Sequence, residues 1–379
     1  MRTRLGRSGF YAGLVKLIVF IRAASERSLK MHMANELLSV PVAIGTLGTA
    51  AAGLGLICHK AKSLITSDRF ALMGIMGAFV FAAQMVNFQL PLMPGTSGHM
   101  VGAVLLAIIL GPYAGAIAIS SVVIIQCLVF QDGGLLALGC NIINMALVPT
   151  FVGYWMYRLF VNAQPSQWRL YLGSIIACVV AILAGAVLVP IEAAVSGVLR
   201  VPFYTFLITM VGVHIVIGIV EGLITAAVLV YLRQVRPDII AECVVNSVRF
   251  SKGVLYMTLI TAAIIVGAGL SHLASSLPDG LEWSYAERPD EPDFEPIISN
   301  ESHAVAAVED FQSRYSALPD YTIRAGAFGQ SAPVETVEAG AGWQSFAAVF
   351  GSGATMGLIW LGAWALRKKN GGQNAPRSN

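Results

Sequence analysis

Charge is what this 379-residue chain most lacks: Asp, Glu, Lys and Arg make up 12% of it, against 56% hydrophobic residues. Soluble domains carry about a quarter charged residues, so the composition excludes an ordinary soluble enzyme or binding module. Basic residues nowhere alternate with aromatics, which argues against a nucleic-acid surface. No Gly-x-x-x-x-Gly-Lys-Ser/Thr loop occurs, so the chain does not hydrolyse ATP through a phosphate loop of its own. No His-Glu-x-x-His occurs either, which removes the commonest intramembrane metalloprotease signature. The five cysteines (Cys58, Cys127, Cys140, Cys178 and Cys243) show no Cys-x-x-Cys pairing and read as small buried hydrophobes.

What the chain has is apolar runs, at approximately 38–58, 70–90, 99–111, 112–130, 135–158, 169–190, 204–232, 254–273 and 346–366. A run of about 20 residues crosses a hydrocarbon core of ~30 Å as a helix. The expected fold is therefore an all-α polytopic membrane protein, a bundle of about seven to nine transmembrane helices with an acidic extracytoplasmic loop. The run 99–111 is too short for a helical crossing, and with its neighbour it predicts a broken or re-entrant pair. Lys60, Lys62 and Arg69 follow the first run, and Arg158 and Arg169 lie around the next basic connection. Arg233, Arg236, Arg249 and Lys252 follow the seventh run, and Arg367, Lys368 and Lys369 the last. The positive-inside rule makes these segments cytoplasmic. Met31, the loop 91–98 and the segment 274–345 then face outward, from a bacterial or archaeal cell membrane.

Two regions stand apart. The segment 274–345 holds thirteen of the twenty-one carboxylates, and Pro289-Asp290-Glu291-Pro292-Asp293 argues against a packed core there. It reads as a solvated linker or as a vestibule that concentrates cations. Residues 1–30 begin with Arg2, Arg4 and Arg7 before a short apolar run containing Lys16. As a span, this stretch would leave Arg22, Arg27 and Lys30 on the wrong side, so a cleaved segment or a start assigned upstream is expected. Three units follow: an extension over 1–30, a membrane domain over 31–250, and a portion over 251–379 with two spans around the outer loop.

From Met31 the chain reads Met-His-Met-Ala-Asn-Glu, and the second outer loop reads Pro94-Gly95-Thr96-Ser97-Gly98-His99-Met100. With a free amine at Met31, that amine, the His32 amide nitrogen and His32 Nδ1 form a five- and a six-membered chelate. His99 would complete a square of nitrogens, a geometry suited to Ni(II), Cu(II) or low-spin Co(II) rather than Mg or Ca. Thr96 and Ser97 are placed to hydrogen-bond a ligand imidazole. On spacing alone, two unconnected interfacial histidines remain the alternative.

These residues resemble a known family. Met31-His32-Met33-Ala34 and Pro94-Gly95-Thr96-Ser97-Gly98-His99 are similar to the substrate-capture membrane subunit of cobalt and nickel energy-coupling-factor transporters. Leu110-Gly111-Pro112, Asp132-Gly133-Gly134-Leu135-Leu136-Ala137-Leu138-Gly139-Cys140-Asn141 and His214-x-x-x-Gly218-x-x-Glu221-Gly222-Leu223-Ile224-Thr225 follow in the family's order. The resemblance covers roughly 31–235 and implies Met31, His32 and His99 as metal ligands. Pro278-Asp279-Gly280-Leu281-Glu282 resembles the motif of the family's small accessory subunit, so the chain looks like a fusion of the two. It also implies partners, two ABC-type ATPase subunits and a transmembrane coupling subunit, and a transported Co(II) or Ni(II) with no prosthetic group. Its motifs resemble the cobalt branch, with cobalamin biosynthesis as the destination. Asn35 departs from the pattern, standing where many relatives carry Asp.

Other polar residues fall within the apolar runs. Glu221 and His214 lie two turns apart on one helix face, open to a pathway role or to an interhelical hydrogen bond. Gln84, Asn87 and Gln89 end the second run, and Asn141 and Asn144 begin the fifth, as candidate entry or supporting residues. His59 and His272 border the runs and read as solvated. Two other function classes stay open: a self-sufficient ion-coupled carrier, which would want a relay of intramembrane carboxylates, and an intramembrane metalloenzyme.

Overall fold

The computed structural model describes residues 32–62, 67–161, 165–240, 250–286, 288–300, 302–322 and 341–371. The expectations placed on residues 1–30, Met31, Cys243 and Arg249 lie outside the described residues.

The described chain is almost wholly helical. In order come α1 (Val40–Ala61), α2 (Ser67–Gln84), a two-stranded antiparallel hairpin of β1 (Phe88–Gln89) and β2 (Ser97–Gly98), α3 (Ala103–Leu110) and α4 (Pro112–Phe130). There follow α5 (Leu138–Phe160), α6 (Gln167–Ser196), α7 (Phe203–Val235) and α8 (Lys252–Leu273). The short α9 (Gly280–Tyr285), α10 (His303–Tyr315) and the long α11 (Ala341–Gly371) complete the chain. Seven helices (α1, α4, α5, α6, α7, α8 and α11) are long and apolar enough to cross a membrane, and α2 is a shorter apolar helix. Large apolar side chains such as Ile44, Leu56, Ile208 and Trp360 stand exposed on these helices, as lipid-facing residues do.

The third apolar run is neither a full helix nor a re-entrant pair but a broken crossing. Its helical part, α3, has only eight residues, all buried. At its far end Arg69 Nη1 donates to the Leu110 carbonyl at 3.2 Å, and Lys60 lies over the Tyr113 ring, so α3 ends beside the basic ends of α1 and α2. Its other end continues through the left-handed Gly102 and the non-helical Ser97–Val101 stretch to the hairpin. Gly111 then turns the chain with φ of 86°, and Pro112 opens α4, where its missing N–H leaves nothing unpaired.

Non-helical backbone at such depth must find its hydrogen bonds within the protein. Here it does. The Glu221 carboxylate of α7 accepts the N–H groups of Val101 (2.5 Å) and Gly102 (3.0 Å), and Gln84 donates to the Val101 carbonyl (2.8 Å). Of the two readings of Glu221, the hydrogen-bonding one describes its contacts. The carboxylate sits at the N-terminus of α3, where it also meets the positive end of the helix dipole.

The segment after α8 is not a free linker, contrary to the expectation of an unpacked acidic loop. Trp283, Tyr285, Ile297, Ile298, Val305 and Tyr321 are buried; Tyr285, Ile297 and Ile298 cluster with Met33, Leu37 and Leu38, and Trp283 with Phe88 and Leu90. The acidic average misled because Glu291, Asp293, Glu295 and Asp310 point outward from turns and helix faces whose aromatic and aliphatic neighbours dock inward. Both flanking helices, α8 and α11, pack on α2.

Candidate metal centre

His32 enters on an extended strand of chain that runs over the Asp132-Gly133-Gly134 turn. Asn141 holds that strand on both sides: its Oδ1 accepts the Met33 N–H (3.0 Å) and its Nδ2 donates to the Met33 carbonyl (3.1 Å). The Gly134 N–H donates to the same carbonyl at 2.9 Å. The two glycines are needed for this close approach. Gly133 has φ of 87°, and a Cβ there would lie 2.8 Å from His32 Cβ, while one on Gly134 would meet Asn35. Asn35 itself accepts the Leu136 N–H at 2.8 Å, so the residue that departs from the resemblance ties the strand to the turn.

His99 sits in the non-helical stretch between β2 and α3, close to His32. The ring centroids are 5.8 Å apart, and the residues are 3% and 5% exposed. Two imidazoles sharing one ion with metal–nitrogen bonds of about 2.0–2.1 Å hold their centroids roughly 4.5 Å apart at right angles and about 6.4 Å apart in line, and the observed separation lies between the two. Nδ1 of His99 faces the Met100 carbonyl at 3.1 Å, and Nε2 lies 3.3 Å from the Asp279 carboxylate. His32 Nδ1 lies 2.9 Å from Asp132 Oδ1 as a charge-pair contact, and neither of its buried ring nitrogens makes a hydrogen bond. A chelate through Nδ1 therefore requires the ring to exchange Asp132 for the ion. Among the described residues no three His, Cys, Asp or Glu side chains form a metal-holding group by themselves.

Both histidines line a cavity of about 70 Å³, with Asn141, Asn144, His214 and Asp279 as its other polar walls. His214 Nδ1 approaches the Met210 carbonyl at 2.7 Å, an arrangement that leaves Nε2 as the nitrogen free to accept. Asn144 lies in a π-helical stretch (Ile142–Leu147) of α5 and donates to Glu192 at 2.7 Å.

The structure thus brings His32, His99, Asn141 and His214 to one place. Asn87 is buried but is absent from the cavity wall; its carbonyl accepts the Ser275 N–H at 2.8 Å. Thr96 and Ser97 bond no imidazole. Their hydroxyls go to the Pro278 carbonyl, and that of Ser97 also to Leu277, because the segment before α9 runs beside β2.

Four residues next to the site were not singled out from the sequence. Asp279 faces His99 and caps α9 by accepting the Leu281 N–H at 2.8 Å. Asp132 faces His32 with one oxygen and accepts from the Tyr321 hydroxyl with the other at 2.5 Å. Burial, reinforced by Asp132, pushes the Tyr321 phenol well above its usual range, so it stays a donor. Gln312 spans the same turn, donating to Gly133 (2.9 Å) and accepting from Leu135 (3.0 Å). Asp132 and Asp279 stood inside recognisable motifs; Tyr321 and Gln312 carry no local signal.

Residues 32–239 match the family described as the cobalt uptake substrate-specific transmembrane region. The chain belongs to this family. Residues 253–368 match the PDGLE domain, so this cobalt-uptake region is fused to a PDGLE portion. A putative fused nickel transport protein of Archaeoglobus fulgidus is 37% identical over 67% of this chain and 76% of its own length. A putative metal transport protein of Haloquadratum walsbyi is 37% identical over 57% of this chain and 96% of its own length. A probable fused nickel transport protein of Lactiplantibacillus plantarum is 33% identical over 68% and 79%. The chain is accordingly a multi-pass membrane protein of the cobalt/nickel transport type, and its relatives are named as transport proteins rather than enzymes.

Proposed function

We propose that this protein is the substrate-capture component of an energy-coupling-factor transporter that imports Co(II) or Ni(II). The observation that carries the reading is the convergence of two buried imidazoles, His32 and His99, at 5.8 Å in a member of a cobalt-uptake family. Two imidazoles leave a transition-metal ion short of donors. The Met31 amine and the His32 amide nitrogen supply the other two in this reading, giving the square of nitrogens that suits Ni(II) or Co(II). Asn141, which holds the Met33 backbone on both sides, then acts as the outer partner that places His32.

The chain has no phosphate loop, so energy comes from partners: two ABC-type ATPase subunits and a coupling subunit in the membrane. The site end faces outward and the Lys60 and Arg69 end faces the cytoplasm, following the distribution of basic residues. Relatives carry cobalt in their names as well as nickel. Cobalt destined for cobalamin synthesis is our choice between them. Replacing His99 with Ala removes one of four in-plane donors. Uptake of radioactive cobalt or nickel by cells expressing His99→Ala with its partners is expected to fall to background at normal expression. Uptake at the wild-type rate would refute the site.

A further inference from the structure

We propose that Tyr321 is a positioning residue for metal retention: through Asp132, its hydroxyl sets how tightly the His32 imidazole is held away from the ion. The inference rests on the reading of His32 as a ligand.

The contact is built from several independent pieces. Tyr321 is 1% exposed and stacks on Phe130, with ring centroids 4.7 Å apart. The Leu318 N–H donates to the Val129 carbonyl at 2.9 Å, seating the segment against the end of α4. Asp320 and Tyr321 have φ of 52° and 59°, values a bulky side chain adopts only where its surroundings hold it. Six residues before Leu318, Gln312 bonds the Gly133 carbonyl, the Cys127 carbonyl and the Leu135 N–H, gripping both sides of the turn that carries Asp132. The product is a file of polar groups: the Tyr321 hydroxyl donates to Asp132 Oδ2, and Asp132 Oδ1 stands 2.9 Å from His32 Nδ1 as a close electrostatic contact rather than a hydrogen bond. It begins in the PDGLE portion and ends on the first histidine.

A carboxylate that faces an imidazole nitrogen competes with a metal for that ring. A hydroxyl donated to the other carboxylate oxygen satisfies part of the charge and weakens that competition. With the hydroxyl removed, more of the Asp132 charge bears on His32, and the ion is held less firmly. A hydrogen bond to a charged group corresponds to about a tenfold change in an equilibrium.

The test uses the full chain, purified in detergent and loaded with Ni(II) alone, in four forms: wild type, Tyr321→Phe, Asp132→Asn and the double variant. Nickel release is timed after adding excess chelator, and the visible ligand-field spectrum of the bound ion is recorded. Tyr321→Phe keeps the ring stack and is expected to release nickel roughly tenfold faster, with a shifted spectrum. In the Asp132→Asn background the same change is expected to do nothing. A release rate and spectrum equal to wild type, or an undiminished effect in the Asp132→Asn background, overturns the proposal. If Asp132→Asn is not recovered folded, the spectrum of Tyr321→Phe decides alone: a shift supports the file, no shift overturns it. His99→Ala is the reference: if it holds nickel as wild type does, the ligand reading itself has failed, an outcome distinct from a silent Tyr321→Phe.

Discussion

Gly133 offers a controlled way to move His32 without removing any polar group. An alanine Cβ at this position would sit 2.8 Å from His32 Cβ and 2.9 Å from Asn141 Nδ2. Ordinary carbon contacts lie at about 3.5–4.0 Å, so His32 has to move by roughly 1 Å or the turn has to open by as much. The positive φ adds a further cost of about 1–2 kcal/mol for a residue with a Cβ. These two effects separate with a second variant. Gly197, which ends α6, also has positive φ (71°), but a Cβ there meets nothing within 4 Å. Gly197→Ala therefore carries the conformational cost alone. A displacement of about 1 Å at a site that depends on placement costs on the order of a hundredfold. Metal affinity, measured by competition against a coloured chelator, is expected to drop by ten- to a hundredfold in Gly133→Ala and to hold within about twofold in Gly197→Ala. Thermal unfolding is expected to fall in both. Equal affinities in the two variants would show that the turn does not seat His32, and the reasoning from close approach would be wrong.

Two further expectations follow from the same contacts. Glu221→Ala strands two backbone N–H groups in the broken crossing, at about 1–3 kcal/mol each. It should lower the unfolding temperature sharply, and Glu221→Gln, which keeps one acceptor oxygen, should restore much of the loss. An undisturbed melt in Glu221→Ala would separate the carboxylate from the fold. Deleting residues 284–340 removes Tyr285, Ile297, Ile298 and Tyr321 from the covered face and is expected to stop uptake even at saturating metal. Recovery at high metal would return the segment to the lesser role of gathering cations.

Most of the helices were legible because an apolar run has one physical use at this length. The break in the third crossing was legible too, since thirteen residues between 99 and 111 fall short of a bilayer as a helix. Its form was not legible. That α3 lies at the basic end depends on where Arg69 and Lys60 reach, which the pattern of one segment does not contain. His32 and His99 were readable as a pair from their motifs, and the structure adds the distance between them. Thr96 and Ser97 were misassigned because their partners, Leu277 and Pro278, come from a segment some 180 residues away. Tyr321 was invisible for the same reason, and because the acidic average of its surroundings concealed the residues that dock. Glu192 was passed over because it stands just beyond the run ending at 190, although α6 continues through it to Ser196.

The packing of α8 and α11 on one helix, α2, has a kinetic consequence. The segment between them is tied at both ends, so Asp279 and Tyr321 face their partners at an effective concentration fixed by the tether and independent of how much protein is present. A separate accessory chain would fall away on dilution, at a rate set by its own dissociation constant. Here uncovering the two histidines is a unimolecular event. Its rate is then a property of the single chain, unchanged by expression level, and gene dosage alone does not loosen the cover.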